Sequence, residues 1–116
     1  MALLGKYPAI FEGIQNLSDK HKNVRKSSLT RLQKDVFEIK EDLKNESKEF
    51  LESNLFSKIV ARLGDDNERI REMSAGFILQ LLDDFKDYLL DSFFFNTIQI
   101  IFDRFSEGNI QITIIC

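Results

Sequence analysis

The chain has 116 residues, 43% hydrophobic and 30% charged, a composition that suits one folded domain and excludes disordered and collagen-like chains. Sixteen basic against nineteen acidic residues leave a net charge of −3, which argues against a dedicated nucleic-acid binder. One cysteine (Cys116) and one histidine (His21) exclude an internal disulfide, a cysteine-based zinc site and any multi-histidine metal centre, and the cysteine usage points to a reducing compartment.

One proline and five glycines leave few breakers, so the expected class is all-α. Met1 to Leu4 is too short for the apolar region of a signal peptide, and a cytoplasmic location is expected. Pro8 suits the first position of a helix, where its missing N–H costs nothing. A polar turn follows, with Asn23 the candidate N-cap of a second helix. Stepping 100° per residue from Val24 places Ser28, Leu29, Leu32, Val36, Ile39 and Leu43 on one face, with Lys26, Thr30, Lys34 and Glu38 opposite. Asn45 to Asn54 is polar and charged and reads as a loop with a frayed helical turn. Two further helices follow, separated by a turn in which Asn67 is the candidate N-cap. Ser92 to Phe102 is an eleven-residue uncharged stretch, against roughly 20 residues for a bilayer span, and reads as a buried helix. Ile110 to Ile114 alternates as a strand would, while the register described next favours a helix start there.

The chain repeats itself at a spacing of 46 residues. That offset carries Leu17 to Leu63, Asp19 to Asp65, Val24 to Ile70, Arg25 to Arg71, Ser28 to Ser74, Leu32 to Ile78, Val36 to Leu82 and Leu43 to Leu89. A third copy starts at an offset of 42, taking Phe56 to Ile98, Ile59 to Ile101, Leu63 to Phe105, Asp65 to Glu107 and Ile70 to Ile112. The arginine position there is Thr113. Each unit reads as helix, tight polar turn, helix.

A helix ending in Leu-x-Asp, a short turn and then Val/Ile-Arg opening an amphipathic helix resembles the HEAT repeat, and Leu17-Ser18-Asp19…Val24-Arg25 and Leu63-Gly64-Asp65…Ile70-Arg71 both carry the pattern. The resemblance implies one HEAT-type α-α superhelix over residues 1–116: repeat 1 at about 7–44, repeat 2 at about 53–89, and a partial repeat 3 at about 91–116. Arg25 falls on the apolar side of its helix, where an unpaired charge would be costly; Asp19 in the preceding turn is the acid expected to pair with it, with Asp65 of the next repeat stacked above. The family's role for Asp19, Arg25, Asp65 and Arg71 is an inter-repeat ladder. The layout is similar to the N-terminal repeats of HEAT-repeat dynein axonemal assembly factors, which implies a scaffold or adaptor in dynein assembly or the cilium. Tubulin-binding TOG arrays are another relative, but they use a tryptophan that this chain lacks.

No nucleophile–base set, calcium-loop spacing or phosphate-cradling glycine loop occurs, so the expectation is a non-enzyme without cofactors or metal. Residues 20–34 hold six cations and no acid, whereas residues 83–107 hold six acids and two cations. Lys20, Lys22, Lys26 and Lys34 therefore form a candidate partner-binding face, the alternative function being a tubulin or nucleic-acid binding module. Lys26 and Glu72 hold equivalent outer positions and are expected near each other. The C-terminal third is the most apolar, and Phe95, Ile98, Phe102, Ile112 and Ile115 form the candidate association end for a protein partner.

Overall fold

The computed structural model describes residues 5–106, and every regular element among them is helical. α1 (Pro8–Asn16) and α2 (Lys22–Glu38) form a first helical hairpin, the short connection forcing them antiparallel. α3 (Lys40–Leu43) extends it. The first arm of a second hairpin runs through four contiguous pieces: α4 (Lys48–Leu51), a π-helical turn (Glu52–Phe56), α5 (Ser57–Val60) and a 3₁₀ turn (Ala61–Gly64). Its second arm is α6 (Glu68–Asp84). A 3₁₀ turn (Lys86–Tyr88) leads into α7 (Asp91–Ser106), which packs on the second hairpin. No described helix is long and apolar enough to cross a membrane.

The two second arms match residue for residue. Each is 17 residues long, with both ends displaced by the same 46 positions. Both stop at a residue with nearly the same backbone conformation, Ile39 (φ −110°, ψ 17°) and Phe85 (φ −117°, ψ 16°). Their starts also match in backbone, His21 (φ −91°, ψ 121°) and Asn67 (φ −94°, ψ 123°), but differ in chemistry. The Asn67 side chain accepts the Ile70 N–H at 3.1 Å, whereas His21 supplies no side-chain cap. Asn23, expected as the first cap, lies one residue inside α2, because Lys22 already has helical geometry.

The stretch expected as a loop at 45–54 is helical from Lys48 onward. Ser47 starts it, its Oγ accepting the Phe50 N–H at 3.1 Å, and burial of Leu51, Leu55 and Phe56 outweighs the polar composition. Two carbonyls along this arm also accept from side chains: Asn54 donates to the Phe50 carbonyl at 3.2 Å and Ser57 to the Ser53 carbonyl at 3.0 Å.

One apolar core runs through both hairpins. Ile10 and Ile14 of α1 and Leu17 just after it join Leu29, Leu32 and Val36 of α2, then Leu55, Ile59, Leu63, Ile70, Ile78 and Leu82. Phe56 meets Phe85 edge-on at 5.3 Å between ring centres and Phe93 at 6.3 Å, which fastens α7 to the second hairpin. Each such side chain, taken fully out of water, contributes about 1.5–3 kcal/mol before conformational entropy is charged against it.

Candidate functional site

The charged residues of the two turns form one local device twice. Asp19 accepts the His21 N–H at 2.8 Å, and Asp65 accepts the Asn67 N–H at 2.9 Å. Arg25 donates to the Asp19 carbonyl at 2.8 Å, and Arg71 to the Asp65 carbonyl at 2.8 Å. Arg25 also reaches across to the second hairpin, with Nε on Asp65 Oδ2 at 2.9 Å and Nη2 on Oδ1 at 3.0 Å. The Asp19 carboxylate does not pair with Arg25; its side-chain partner is His21 Nδ1, at 3.1 Å. Glu107, the next acid in the series, lies outside the described residues.

Burial makes this pair matter. The Arg25 side chain is 9% exposed and that of Asp65 only 2%. Desolvation raises the Asp65 pKa, but hydrogen bonds from Arg25 and the Asn67 N–H outweigh it and hold the carboxyl below its ordinary value. The same bonds raise the Arg25 guanidinium against its own desolvation. Two further groups, not singled out from the sequence, complete the cluster: Asp66 accepts Arg25 Nη2 at 3.1 Å and Arg62 Nη1 donates to Asp65 at 3.1 Å. In the sequence Asp66 stands next to Asp65, and Arg62 lies three residues before it. The Arg25–Asp65 bonds clamp the hairpins together, with Asp66 at the exposed rim of the cluster and Arg62 Nε buried without a hydrogen-bond partner among the described residues.

The basic face is a different surface. Of the six cations at 20–34, Arg25 belongs to the clamp and Arg31 pairs with Asp35 at 3.6 Å. Lys20, Lys22 and Lys34 are exposed and Lys26 is half-buried, and none of the four makes an ion pair among the described residues. Their equivalents on the adjacent hairpin are Asp66, Glu68, Glu72 and Gln80, so the basic stripe lies alongside an acidic one. Glu72 pairs with Arg69 at 3.5 Å and not with Lys26. Gln33 and Gln80 bridge α2 and α6 at 2.9 Å.

The apolar end behaves unlike the corresponding surfaces elsewhere. Ile10, Ile14 and Leu17 are buried on the first hairpin, and Phe56 and Leu63 on the second. The positions that continue those series on α7 are Ile98, Phe102 and Phe105. Ile98 is half-buried, whereas Phe102 is 62% exposed and Phe105 47% exposed. Phe95, one turn earlier, is 68% exposed. Ile112 and Ile115, and the helix-or-strand alternative for 110–115, lie outside the described residues.

At the opposite end a groove of about 400 Å³ opens between α1 and α2, lined among others by Glu12, Gly13, Asn16, Ser27, Arg31 and Asp35. The equivalents of Gly13, Arg31 and Asp35 on the second hairpin are Ile59, Phe77 and Leu81, all buried. The first hairpin therefore presents a polar, solvated outer face and α7 an apolar one. Among the described residues no three His, Cys, Asp or Glu side chains gather as a metal site. No protein-family model, curated protein or solved structure matches the chain.

Proposed function

We propose that the chain forms a HEAT-type α-solenoid of two hairpins and the opening helix of a third, serving as a non-catalytic scaffold for protein–protein contacts. The in-register recurrence of α2 and α6, with the same Asp–Arg geometry at each turn, supports the solenoid reading. The observation that carries the functional reading is the exposure of Phe102 and Phe105 on α7, where the equivalent Ile14 and Leu17 of the first hairpin are buried and Val60 and Leu63 of the second are half-buried and buried. Solenoid units bury their apolar faces only against neighbours, so an apolar end face is a contact surface. The likeness in layout to dynein axonemal assembly factors makes dynein-assembly components of the cilium the first partners to try. A hydrophobic dye should bind the purified chain and lose most of its signal in the Phe95→Ser/Phe102→Ser variant. No dye binding by the parent chain overturns the reading.

A second reading, tubulin or nucleic-acid binding through Lys20, Lys22, Lys26 and Lys34, is favoured by the absence of ion pairs at these lysines among the described residues and opposed by the acids beside them. Salt separates the two. Binding through lysines collapses between about 50 and 200 mM salt, whereas binding through α7 persists.

A further inference from the structure

We infer that the partner of the α7 face is a second copy of this chain, packed antiparallel, α7 on α7, about a twofold axis beside Ile98. The inference rests on the reading of α7 as a contact surface and names what covers it. Phe95, Ile98, Phe102 and Phe105 recur at intervals of three, four and three residues, the spacing of a seam between two helices. The two most exposed rings of the stripe, Phe95 and Phe102, also stand almost evenly about Ile98. Phe95 lies three residues before Ile98 and Phe102 four after it, so an antiparallel copy sets each Phe95 against Phe102 of the partner subunit. A twofold contact needs such self-complementarity, because the same patch serves both sides.

Charge permits it. α7 carries only Asp91, Asp103 and Arg104. Arg104 folds back on its own chain, its Nη2 lying 3.1 Å from where a Cβ on Gly64 would sit. The remaining acids stand near opposite ends of the helix, and antiparallel packing keeps each away from its own symmetry mate at the axis. A parallel pair would set Asp103 beside Asp103 of the partner subunit. From their exposed fractions, Phe95, Phe102 and Phe105 present on the order of 350 Å² of ring surface per copy. That is the size of a patch that marks an interaction site, but below the roughly 800 Å² per partner of a tight complex. The dimer is therefore a weak one that dissociates on dilution.

Sedimentation of the full chain from about 1 to 100 μM tests this. The expected result is a monomer at the low end and a dimer at the high end, with Phe102→Asp monomeric throughout and its helical circular dichroism retained. Cross-linking supplies a measurement that does not depend on that variant. In a Cys116→Ser background, Ile98→Cys should form an intermolecular disulfide under mild oxidation and Ser106→Cys should not. Cross-linking at both positions means parallel packing and overturns the twofold arrangement. A monomer at 100 μM that binds a hydrophobic dye overturns self-association and leaves α7 as a surface for another protein. A monomer that binds no dye overturns both.

Discussion

Arg25 reaches forty residues along the chain and holds Asp65 through two nearly parallel hydrogen bonds, 2.9 and 3.0 Å long, across the join between the hairpins. Removing Arg25 leaves a carboxylate whose side chain is 2% exposed with only Arg62 and backbone N–H support. Breaking a buried pair from one side costs about 3–5 kcal/mol, and these remaining donors place Arg25→Ala at the low end. Lys26→Ala, one residue away and outside any ion pair, should change stability by less than about 0.5 kcal/mol. Equal denaturation midpoints for the two variants would remove the clamp from the account of the fold. The double variant Arg25→Met/Asp65→Leu should recover most of the loss, since no charge is then left stranded.

The same pair sets an acid limit. Asp65 titrates near 3.8 in the unfolded chain and lower in the folded one, so the folded state holds the proton less well. Its contribution is therefore present in full above about pH 5 and is lost as the pH falls through the folded value. Asp19 and Asp42 shift the same way, Asp19 mainly through the His21 N–H and Asp42 mainly through the Tyr7 hydroxyl that donates to it. Both carboxylates remain open to solvent, with side chains 33% and 44% exposed, and should add little. Asp65→Asn should be less stable at pH 7 yet lose less on acidification to pH 3. An undiminished acid loss, read from urea midpoints at both pH values, would assign the acid limit to other carboxyls.

Much of the architecture was legible because both hairpins state the same pattern. An offset that carries Leu17, Asp19, Val24 and Arg25 onto residues of like type also carries the ends of α2 onto those of α6. The misreadings share a physical cause: local residue preference was allowed to decide what burial and backbone conformation decide. Asn23 is the better capping residue by type, but the extended backbone that a cap needs lies at His21. Asn45 to Asn54 is polar by composition, yet Phe50 and Leu51 within it are drawn onto the core and pull the helix back to Lys48. The clamp was legible only in outline. Asp19 and Asp65 match in sequence, but Arg25 takes a carbonyl from one and a carboxylate from the other, and Asp66 joins only because the turn brings it alongside.

The unequal caps offer a gain of stability. His21 and Asn67 have the same backbone conformation, and only Asn67 closes a side-chain cap. The Val24 N–H donates to the His21 carbonyl, at 3.1 Å; His21→Asn should add a side-chain acceptor for it and stabilise the chain by about 0.5–1 kcal/mol, after loss of the exposed His21–Asp19 contact. Asn67→Ala should cost about 1 kcal/mol. The thermal midpoint reads both. A fall for His21→Asn would mean that the first turn gains more from the Asp19 contact than from a side-chain cap.

Phe85 occupies the position of Ile39, at the residue where each long helix breaks, but it does more. It is 1% exposed and meets Phe56 edge-on, and Phe56 in turn meets Phe93 of α7. The Lys44 ammonium lies 5.8 Å from the Phe85 ring centre and 5.3 Å from that of Tyr88. Phe85→Ala should therefore cost about 3–5 kcal/mol, against about 2 kcal/mol or less for the half-buried Ile39→Ala. A loss that large can exhaust a domain's whole margin. Phe85→Leu, which keeps most of the volume, gives the graded measurement at about 1–1.5 kcal/mol. Because Phe56 links the two rings, loosening Phe85 should also loosen α7. Amide exchange along Asp91–Ser106 should accelerate more in Phe85→Leu than in a control of equal stability, such as Leu29→Val in the first hairpin. Equal acceleration in the two variants would mean that α7 opens only when the whole chain unfolds, and that the aromatic triad does not hold it independently.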